Sequence, residues 1–230
     1  MSDQTRRERK KQQTRDAVRE AAWELFAALG YEATTIQAIA DAADVAPRTV
    51  TMHFPAKEDL VFSDDDPFHP RLLKEWMQNR PAGQAALTAL REWMHETIGH
   101  IESANDRGRY WRARALRARL IGADDKLRGR ARASYLPSER IIAGAIGQDR
   151  DINGDSLMPR LVASSVVTGL RELYEAAEVR EAGSEPRAAD LLPLVDRVID
   201  FAEAGMQRLE QAPDTEPTRQ FKRNREGLSS

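Results

Sequence analysis

The 230-residue chain contains no cysteine. This absence excludes disulfide bonds, thiolate metal sites and a cysteine nucleophile, and it is typical of proteins that fold in a reducing cytoplasm. The chain also lacks a global excess of positive charge, because its formal net charge is −2 at pH 7. Any affinity for nucleic acid must therefore come from a local basic patch.

Long apolar runs are missing as well. The N-terminal segment has no apolar stretch that would serve as a secretory signal. The longest apolar-looking stretch, residues 161–170, is too short to cross a bilayer and contains two serines. Apolar residues at 41% and charged residues at 31% fit a soluble, highly helical chain. We therefore predict a cytoplasmic protein with no membrane contact.

Motifs of known catalytic chemistry are absent too. The sequence has no nucleophile elbow, P-loop or dinucleotide-binding glycine motif. Residues 95–100 resemble the zinc signature HExxH but have one residue too many, so on a helix His95 and His100 diverge by about 140° and cannot share a metal. We interpret His100 as a surface partner of Glu96.

The three aspartates at 64–66 offer the other metal candidate. Acidic loops that cap a following helix are commoner than acidic metal sites, so we favour a cap. We expect no metal, no cofactor and no enzymatic activity, and a helical enzyme is kept as the remote alternative.

Positive charge is concentrated near the N-terminus. Residues 6–19 hold seven Arg or Lys and only two acids. Such a run is either a solvated terminus or an arm that neutralises DNA phosphates, and the run alone favours the first interpretation. The candidate phosphate contacts are Arg6, Arg7, Arg9, Lys10 and Lys11.

Residues 34–57 predict two short helices joined by a tight turn, after an apolar helix over 14–29. Thr34 is expected to cap the first short helix, with Gln37 completing a capping box. Asp44 lies at the reversal, since Asp adopts the left-handed backbone more readily than most residues. Pro47 suits the first position of the second helix, where a missing N–H costs nothing.

The second short helix is expected to bury Val50 and Phe54 and to expose a polar, cationic face. Two short helices around an apolar cluster describe a helix-turn-helix. In that motif the second helix lies in the major groove with its N-terminal residues on base edges. A helical hairpin of another purpose would show the same pattern, so that alternative stays open here.

The pattern G-Y-x-x-T-T-I-x-x-I-A-x-x-A-x-V-x-x-R-T-V-x-x-H-F-x-x-K-E-x-L, from Gly30 to Leu60, resembles the DNA-binding domain of tetracycline-repressor-like (TetR) regulators. The resemblance implies an all-α homodimer with a three-helix helix-turn-helix DNA-binding domain and a C-terminal helical dimerisation and ligand-binding domain. It also favours the basic arm as a DNA contact. It places Pro47, Arg48, Thr51 and Met52 against bases, and Thr35, Thr49, His53 and Lys57 against phosphates.

Three positions depart from the usual pattern of that family. Asp44 stands where the turn usually has glycine, and Thr51 replaces an aromatic residue. Ala46 replaces the usual serine cap, which costs the recognition helix about 1 kcal/mol. These departures affect operator sequence and affinity, and they leave Arg48 as the main candidate for direct base contact.

The predicted domains are residues 1–57 for the arm and helix-turn-helix, 58–211 for the helical ligand-binding and dimerisation domain, and 212–230 for a disordered tail. The tail has no apolar period. Helices after the helix-turn-helix are predicted at 57–62, 71–79, 85–103, 107–121, 126–146 (one helix with Pro137 inside), 157–179 and 188–209, with loops at 63–70 and 147–155.

The helix over 107–121 is dense in arginine. One interpretation is a solvated helix whose aliphatic stems cover its neighbours. The sharper hypothesis is that Arg112 or Arg119 points into a cavity and selects an anionic ligand. Other pocket candidates, each of which could equally be plain core, are Trp76, Trp93, Met94, Tyr110, Trp111, Tyr135, Met158 and Tyr174.

The resemblance also assigns the last two helices to a four-helix dimer interface. Packing within one chain would produce the same apolar stripes, so the stripes do not decide between the two. The candidate interface residues are Leu161, Ser165, Thr168, Leu191, Val195, Val198 and Ala202.

The sequence thus leads us to expect a homodimeric transcriptional regulator, a repressor released from a palindromic operator by a small-molecule ligand. Its expected partners are double-stranded operator DNA, a second copy of itself and an unknown small effector. The alternative is a DNA-binding regulator or architectural protein gated by a protein partner.

Overall fold

The structure, a computed structural model, describes residues 3–62, 68–179 and 185–211, with backbone only for 3–5 and 174–179. In these ranges the chain forms helices and no strands, as the all-α prediction expected. The elements are α1 (Asp3–Leu29), α2 (Ile36–Ala42), α3 (Pro47–His53), a 3-10 turn (Lys57–Leu60), α4 (Pro70–Asn79), α5 (Ala86–Ser103), α6 (Arg107–Ala123), α7 (Asp125–Asp149), α8 (Leu157–Val179) and α9 (Ala188–Gln211).

The largest differences from the predicted elements concern α1, the segment 57–62 and α7. α1 begins at Asp3 instead of residue 14, because the arm consists mainly of Arg, Lys, Gln and Glu, which are good helix formers. The segment 57–62 forms only a 3-10 turn, capped by the Asp59 carboxylate, which accepts a hydrogen bond from the Ala56 N–H at 3.0 Å. α7 is one helix with Pro137 inside and continues to Asp149, so the following loop starts later than predicted.

The cap of α2 lies one residue later than predicted. The Thr35 hydroxyl accepts a hydrogen bond from the Ala38 N–H at 3.1 Å. Thr34 is buried instead, and its hydroxyl donates to the Gly30 carbonyl at 2.8 Å, one of the carbonyls left open at the end of α1. Gln37 pairs with Asp41, so no capping box forms.

The turn between α2 and α3 follows the prediction. Asp44 has a φ of 52°, the left-handed conformation that glycine would adopt more easily. Pro47 occupies the first position of α3, and Ala46 supplies no side-chain cap. Gly30 ends α1 with a φ of 83°, as expected for a left-handed terminator.

Two apolar cores organise the described chain. The larger core joins α4, α5, α7, α8 and α9. The smaller core joins α1, α2, α3 and the 3-10 turn, and it also takes in Leu120 of α6 and Leu127 of α7. Residues of α6 and α7 therefore complete the core formed by α1, α2, α3 and the 3-10 turn.

Several predictions lie outside the described residues: the aspartates at 64–66, the Tyr174 side chain and the tail at 212–230. None of the helices that the structure describes is long and apolar enough to cross a membrane. The same described ranges hold no group of His, Asp or Glu suited to a metal ion.

Candidate functional site

The helix α3 exposes one face and buries the other. Val50 and Phe54 are buried in the small core, as predicted. The four residues expected to face bases, Pro47, Arg48, Thr51 and Met52, are exposed together, and Met52 keeps 69% of its surface accessible. The Arg48 guanidinium makes no hydrogen bond or ion pair with any residue the structure describes.

The polarity of this face suits base recognition. Arg48 follows Pro47 at the N-terminal end of α3, the end that meets base edges in a helix-turn-helix. The Thr51 hydroxyl lies 3.2 Å from the Arg48 carbonyl and 3.5 Å from the Pro47 carbonyl, so it is partly engaged by its own helix. Among the exposed residues of α3, Arg48 is therefore the one long hydrogen-bond donor, and no described residue engages its guanidinium.

The predicted phosphate contacts divide into free and engaged groups. Thr35 is exposed, and its hydroxyl accepts from Ala38 but still has a proton to donate. Thr49 is half-buried. Lys57 donates through Nζ to the carbonyls of Tyr31 at 2.8 Å and Thr34 at 3.1 Å, and it lies 4.1 Å from the centre of the Tyr31 ring. One ammonium hydrogen of Lys57 is left for a phosphate.

His53, which was predicted to contact phosphate, is largely buried, with only 8% of its surface accessible. Burial lowers the pKa of His53 below its usual 6.5, and the positive charges of Lys11 and Arg15 lower it further. The Arg15 guanidinium donates to the His53 carbonyl at 3.0 Å and lies 4.5 Å from the centre of the Phe54 ring. Sequence periodicity missed this role of Arg15, which fastens α1 to the end of α3.

His53 should make stability depend on pH. Because its pKa is lower in the folded state, the unfolded chain binds the proton first, so the free energy of unfolding should fall as pH drops below 6.5. We expect His53→Gln to lose part of this fall in urea titrations at pH 7.5 and pH 5. The exposed His100→Gln provides the control. An equal fall in His53→Gln and the unchanged protein would contradict the assignment.

The basic arm is the exposed N-terminal part of α1. Arg6, Arg7, Arg9, Lys10 and Lys11 are all exposed. None of their side chains makes an ion pair with a side chain in the described ranges. A helical arm presents these charges on several sides, so only part of the set can face one DNA backbone at a time.

A cavity of about 1250 Å³ opens between α4, α5, α6, α7 and α8. Four of the predicted ligand residues line this cavity, namely Trp93, Met94, Arg112 and Arg119. Tyr135, another predicted pocket candidate, lines it as well. Arg112 is mostly exposed at its edge and is bound by Glu185 at 3.1 Å.

Four other predicted ligand residues do not line this cavity and pack in the core. Trp76 packs against the large core and donates from Nε1 to the Ala89 carbonyl at 2.8 Å. Trp111 is buried, and Tyr110 meets it edge to face at 5.0 Å. Met158 packs on the same core. Large aromatic residues in this chain serve the core more often than the cavity.

The predicted interface residues also divide. Leu161, Ser165 and Thr168 lie exposed on the outer side of α8. The predictions for Leu191, Val195 and Ala202 are corrected, because all three are buried against the chain's own core and cannot meet a partner.

Val198 is half-buried against α8, where a Cβ at Gly169 would lie 2.8 Å from its Cγ1. The outer apolar residues of α9 are Phe201 and Leu209, which are 71% and 43% exposed. Phe201 and Leu209 lie eight residues apart and form a second, weaker apolar stripe on α9, beside the stronger stripe that faces the core.

His95 contacts α9 and not a neighbour on its own helix. Its Nε2 lies 2.8 Å from Oδ1 of Asp196, which also accepts from Arg91 at 3.1 Å. Burial alone would raise the pKa of Asp196, but these two partners outweigh it and hold the pKa below its usual value. The predicted pairing of His100 with Glu96 is wrong: no bond joins these two described side chains.

Comparison with known proteins agrees with this architecture. The family model described as bacterial regulatory proteins of the tetR family matches residues 18–63. The HTH-type transcriptional regulator TcmR of Streptomyces glaucescens is 30% identical over 169 residues, which cover 69% of this chain and 70% of TcmR. The chain therefore belongs to the TetR family of DNA-binding transcriptional regulators, which are not enzymes.

Two solved structures share the fold. FadR of Thermus thermophilus, a TetR-family transcriptional repressor in complex with lauroyl-CoA, aligns with a TM-score of 0.54 and 20% identity over 88% of this chain and 97% of FadR. SmeT in complex with triclosan aligns with a TM-score of 0.56 and 18% identity over 89% of this chain and 97% of SmeT. At these identities the likeness concerns the fold alone.

Proposed function

We propose that this regulator is a homodimeric repressor that leaves a palindromic operator when a small molecule fills the cavity. The proposal rests on one observation: the cavity and the core of the helix-turn-helix have wall residues in common. Phe62, Leu116 and Ile121 line the cavity and also pack against the core of the helix-turn-helix. A ligand that moves this wall would move the DNA-reading helices with it.

DNA recognition would use two copies of α3. In a dimer the two recognition helices meet successive major grooves about 34–36 Å apart. Arg48 would contact bases, while Thr35, Lys57 and the arm would contact phosphates. Because several phosphates are neutralised, operator affinity should fall steeply with salt.

Dimerisation would use the outer faces of α8 and α9. Leu161, Phe201 and Leu209 leave apolar surface exposed there, with the small residues Ser165 and Thr168 between them. Small residues allow helices to approach closely, and exposed large apolar residues are typical of obligate interfaces. The inner apolar stripe of α9 packs in the core of its own chain, so the outer face is the apolar surface of this helix that is available to a second copy.

Ion pairs join the helix-turn-helix part of the chain (α1 to the 3-10 turn, here called the reading head) to the helices that follow it (α4 to α9, here called the body). Arg109 of α6 bonds Glu20 of α1 at 2.8 Å, and Arg130 of α7 bonds Asp59 at 2.5 Å. α6 and α7 thus contact the reading head through charge as well as through Leu120 and Leu127. A ligand that prefers another spacing of the two heads would release DNA, and DNA would weaken ligand binding by the same factor.

The cavity favours a small molecule over a protein partner as the gating signal. Its volume of about 1250 Å³ is large enough for a drug-sized ligand, since typical ligand pockets span roughly 300–1,000 Å³. The solved relatives that share the fold, FadR and SmeT, are in complex with lauroyl-CoA and triclosan. We assign residues 1–57 to DNA binding and 58–211 to ligand binding and dimerisation, in a cytoplasmic protein.

Selection from a random duplex library tests the DNA half of the proposal. We expect the protein to enrich an inverted repeat whose half-sites are centred about 10 base pairs or a multiple apart. Affinity for the enriched site should exceed affinity for a scrambled duplex by a factor of about 10³ or more. Failure to enrich any sequence, with equal affinity for both duplexes, would refute specific regulation.

A further inference from the structure

The charged side chains that line the cavity within the described ranges are all cationic. None of its lining residues within the described ranges is an aspartate or glutamate. Seven are arginines, contributed by α6, α7 and α8: Arg112, Arg114, Arg117, Arg119, Arg128, Arg132 and Arg171. Arginines that line a partly open cavity in this way raise the local concentration of anions wherever their charge is not already balanced.

Within the described residues, three of these arginines pair with carboxylates outside the lining. Arg112 is paired with Glu185, Arg128 with Asp125, and Arg171 with Glu172. The positive charge of these three arginines is therefore balanced by neighbouring carboxylates, so they do not need an anionic ligand.

Arg119 of α6 and Arg132 of α7 differ from them. Neither side chain makes a hydrogen bond or ion pair with the part of the chain that the structure describes. The two helices pack against each other, and both arginines are exposed residues that line the cavity. A guanidinium binds carboxylate, sulfonate and phosphate oxygens in a bidentate manner, which gives this part of the wall a defined specificity.

Another part of the cavity wall is apolar. Leu73 of α4, Leu90 and Trp93 of α5, and Leu170 of α8 line it. Such a wall stabilises a hydrocarbon or aromatic body by roughly 25 cal/mol for each square ångström removed from water. An inorganic anion would leave this wall and most of the 1250 Å³ without a partner.

Aromatic rings hold further arginines in place along the wall. The Arg117 guanidinium lies 5.0 Å from the centre of the Phe62 ring, and the Arg114 guanidinium lies 5.7 Å from that of Phe68. Stacked guanidinium groups are pre-organised, so a ligand loses less side-chain entropy on binding them.

We infer that the effector is an amphipathic organic anion. Its apolar body lies against α4, α5 and α8, and its carboxylate, sulfonate or phosphate group lies between Arg119 and Arg132. This inference rests on the proposed function of the cavity as the effector site. A cation would be repelled by the arginines, and a neutral molecule would gain no ionic contact with the two guanidinium groups.

Two fluorescent dyes with one aromatic body provide the test. 1-Anilinonaphthalene-8-sulfonate carries a sulfonate on the skeleton of the neutral N-phenyl-1-naphthylamine. In fluorescence titrations of the full-length protein we expect the sulfonate to bind at least about tenfold more tightly, a difference of 1.4 kcal/mol. Arg119→Gln with Arg132→Gln should reduce this advantage to within about threefold and leave the affinity of the neutral dye unchanged.

A charge-matched variant separates a local site from general attraction. Arg160→Gln with Arg187→Gln removes two exposed arginines that do not line the cavity, and it should keep the full advantage of the sulfonate. An equal or stronger affinity for the neutral dye would overturn the inference, and so would an advantage that survives in the Arg119 and Arg132 variant.

Release of the selected operator, followed in the same titrations, distinguishes this failure from failure of the proposed function. If both dyes bind equally and release DNA, the cavity gates operator binding as proposed, but the inference that the effector is an anion is wrong. If the sulfonate is selected through Arg119 and Arg132 but saturating dye leaves the operator bound, the anion site stands and gating by this cavity is wrong.

Discussion

Arg48→Ala should erase the preference of the protein for its operator over random duplex DNA. The guanidinium of Arg48 is exposed at the N-terminal end of α3 and is not used by the fold. A bidentate contact between arginine and guanine contributes about 1–3 kcal/mol of discrimination, and a dimer makes the contact twice. The expected loss is therefore about 2–6 kcal/mol of specificity, which fluorescence anisotropy with selected and scrambled duplexes would measure.

The matched control is Arg9→Ala in the basic arm. A phosphate contact carries no sequence information, so this variant should weaken binding to both duplexes equally and reduce the salt slope by about one per subunit. Both arginines are exposed, so thermal unfolding of either variant should be unchanged. If Arg48→Ala keeps the original ratio of affinities, another residue of α3 reads the bases.

Phe201→Glu should convert the proposed dimer to a monomer and, as a result, remove most operator affinity. Phe201 is 71% exposed on the outer face of α9, so it makes little contact with the described part of its own chain. Burying a carboxylate in an apolar interface costs several kcal/mol unless a cation pairs with it. Loss of the second half-site then lowers affinity by roughly 10²–10⁴-fold, the usual gain from bivalent binding.

Analytical ultracentrifugation would report the oligomeric state, and anisotropy would report operator affinity. Leu136→Glu is the control, since Leu136 is 47% exposed on α7 and the substitution adds the same charge to another apolar position. We expect this control to stay dimeric and to bind the operator normally. A dimeric Phe201→Glu protein would move the interface away from this face.

Much of the fold follows from local sequence signals. Helical periodicity located α4, α5, α8 and the reading head, because each of these helices buries one apolar face. Asp44, Ala46 and Pro47 behave as their backbone preferences require. These features depend on neighbours within a few residues, which the sequence shows directly.

The errors concern choices that only tertiary contacts decide. Thr34 and Thr35 are equivalent as caps until the open carbonyl of Gly30 takes one hydroxyl. α9 carries two apolar stripes, and the stronger one, with Leu191 and Val195, faces its own chain. The sequence prediction chose this stronger stripe as the dimer interface and so missed the exposed Phe201.

The cavity shows the same limit. Arg112 and Arg119 were predictable because one helix carries them, but Arg132 and Arg171 come from other helices. No local pattern indicates that three separate helices direct arginines to one space. The side chain of His53 is a related case, because its burial follows from where Arg15 and α1 cross the end of α3.

The placement of Leu120 and Leu127 has a consequence for how such regulators can diversify. Both side chains belong to the body yet fill the core of the reading head. Truncating a buried leucine typically costs about 2–5 kcal/mol, so a head excised at residue 62 would lose two such contributions at once. The head is thus not a detachable cassette. A chimaera that borrows another relative's operator specificity must bring along the corner between α6 and α7, or repair the vacated positions.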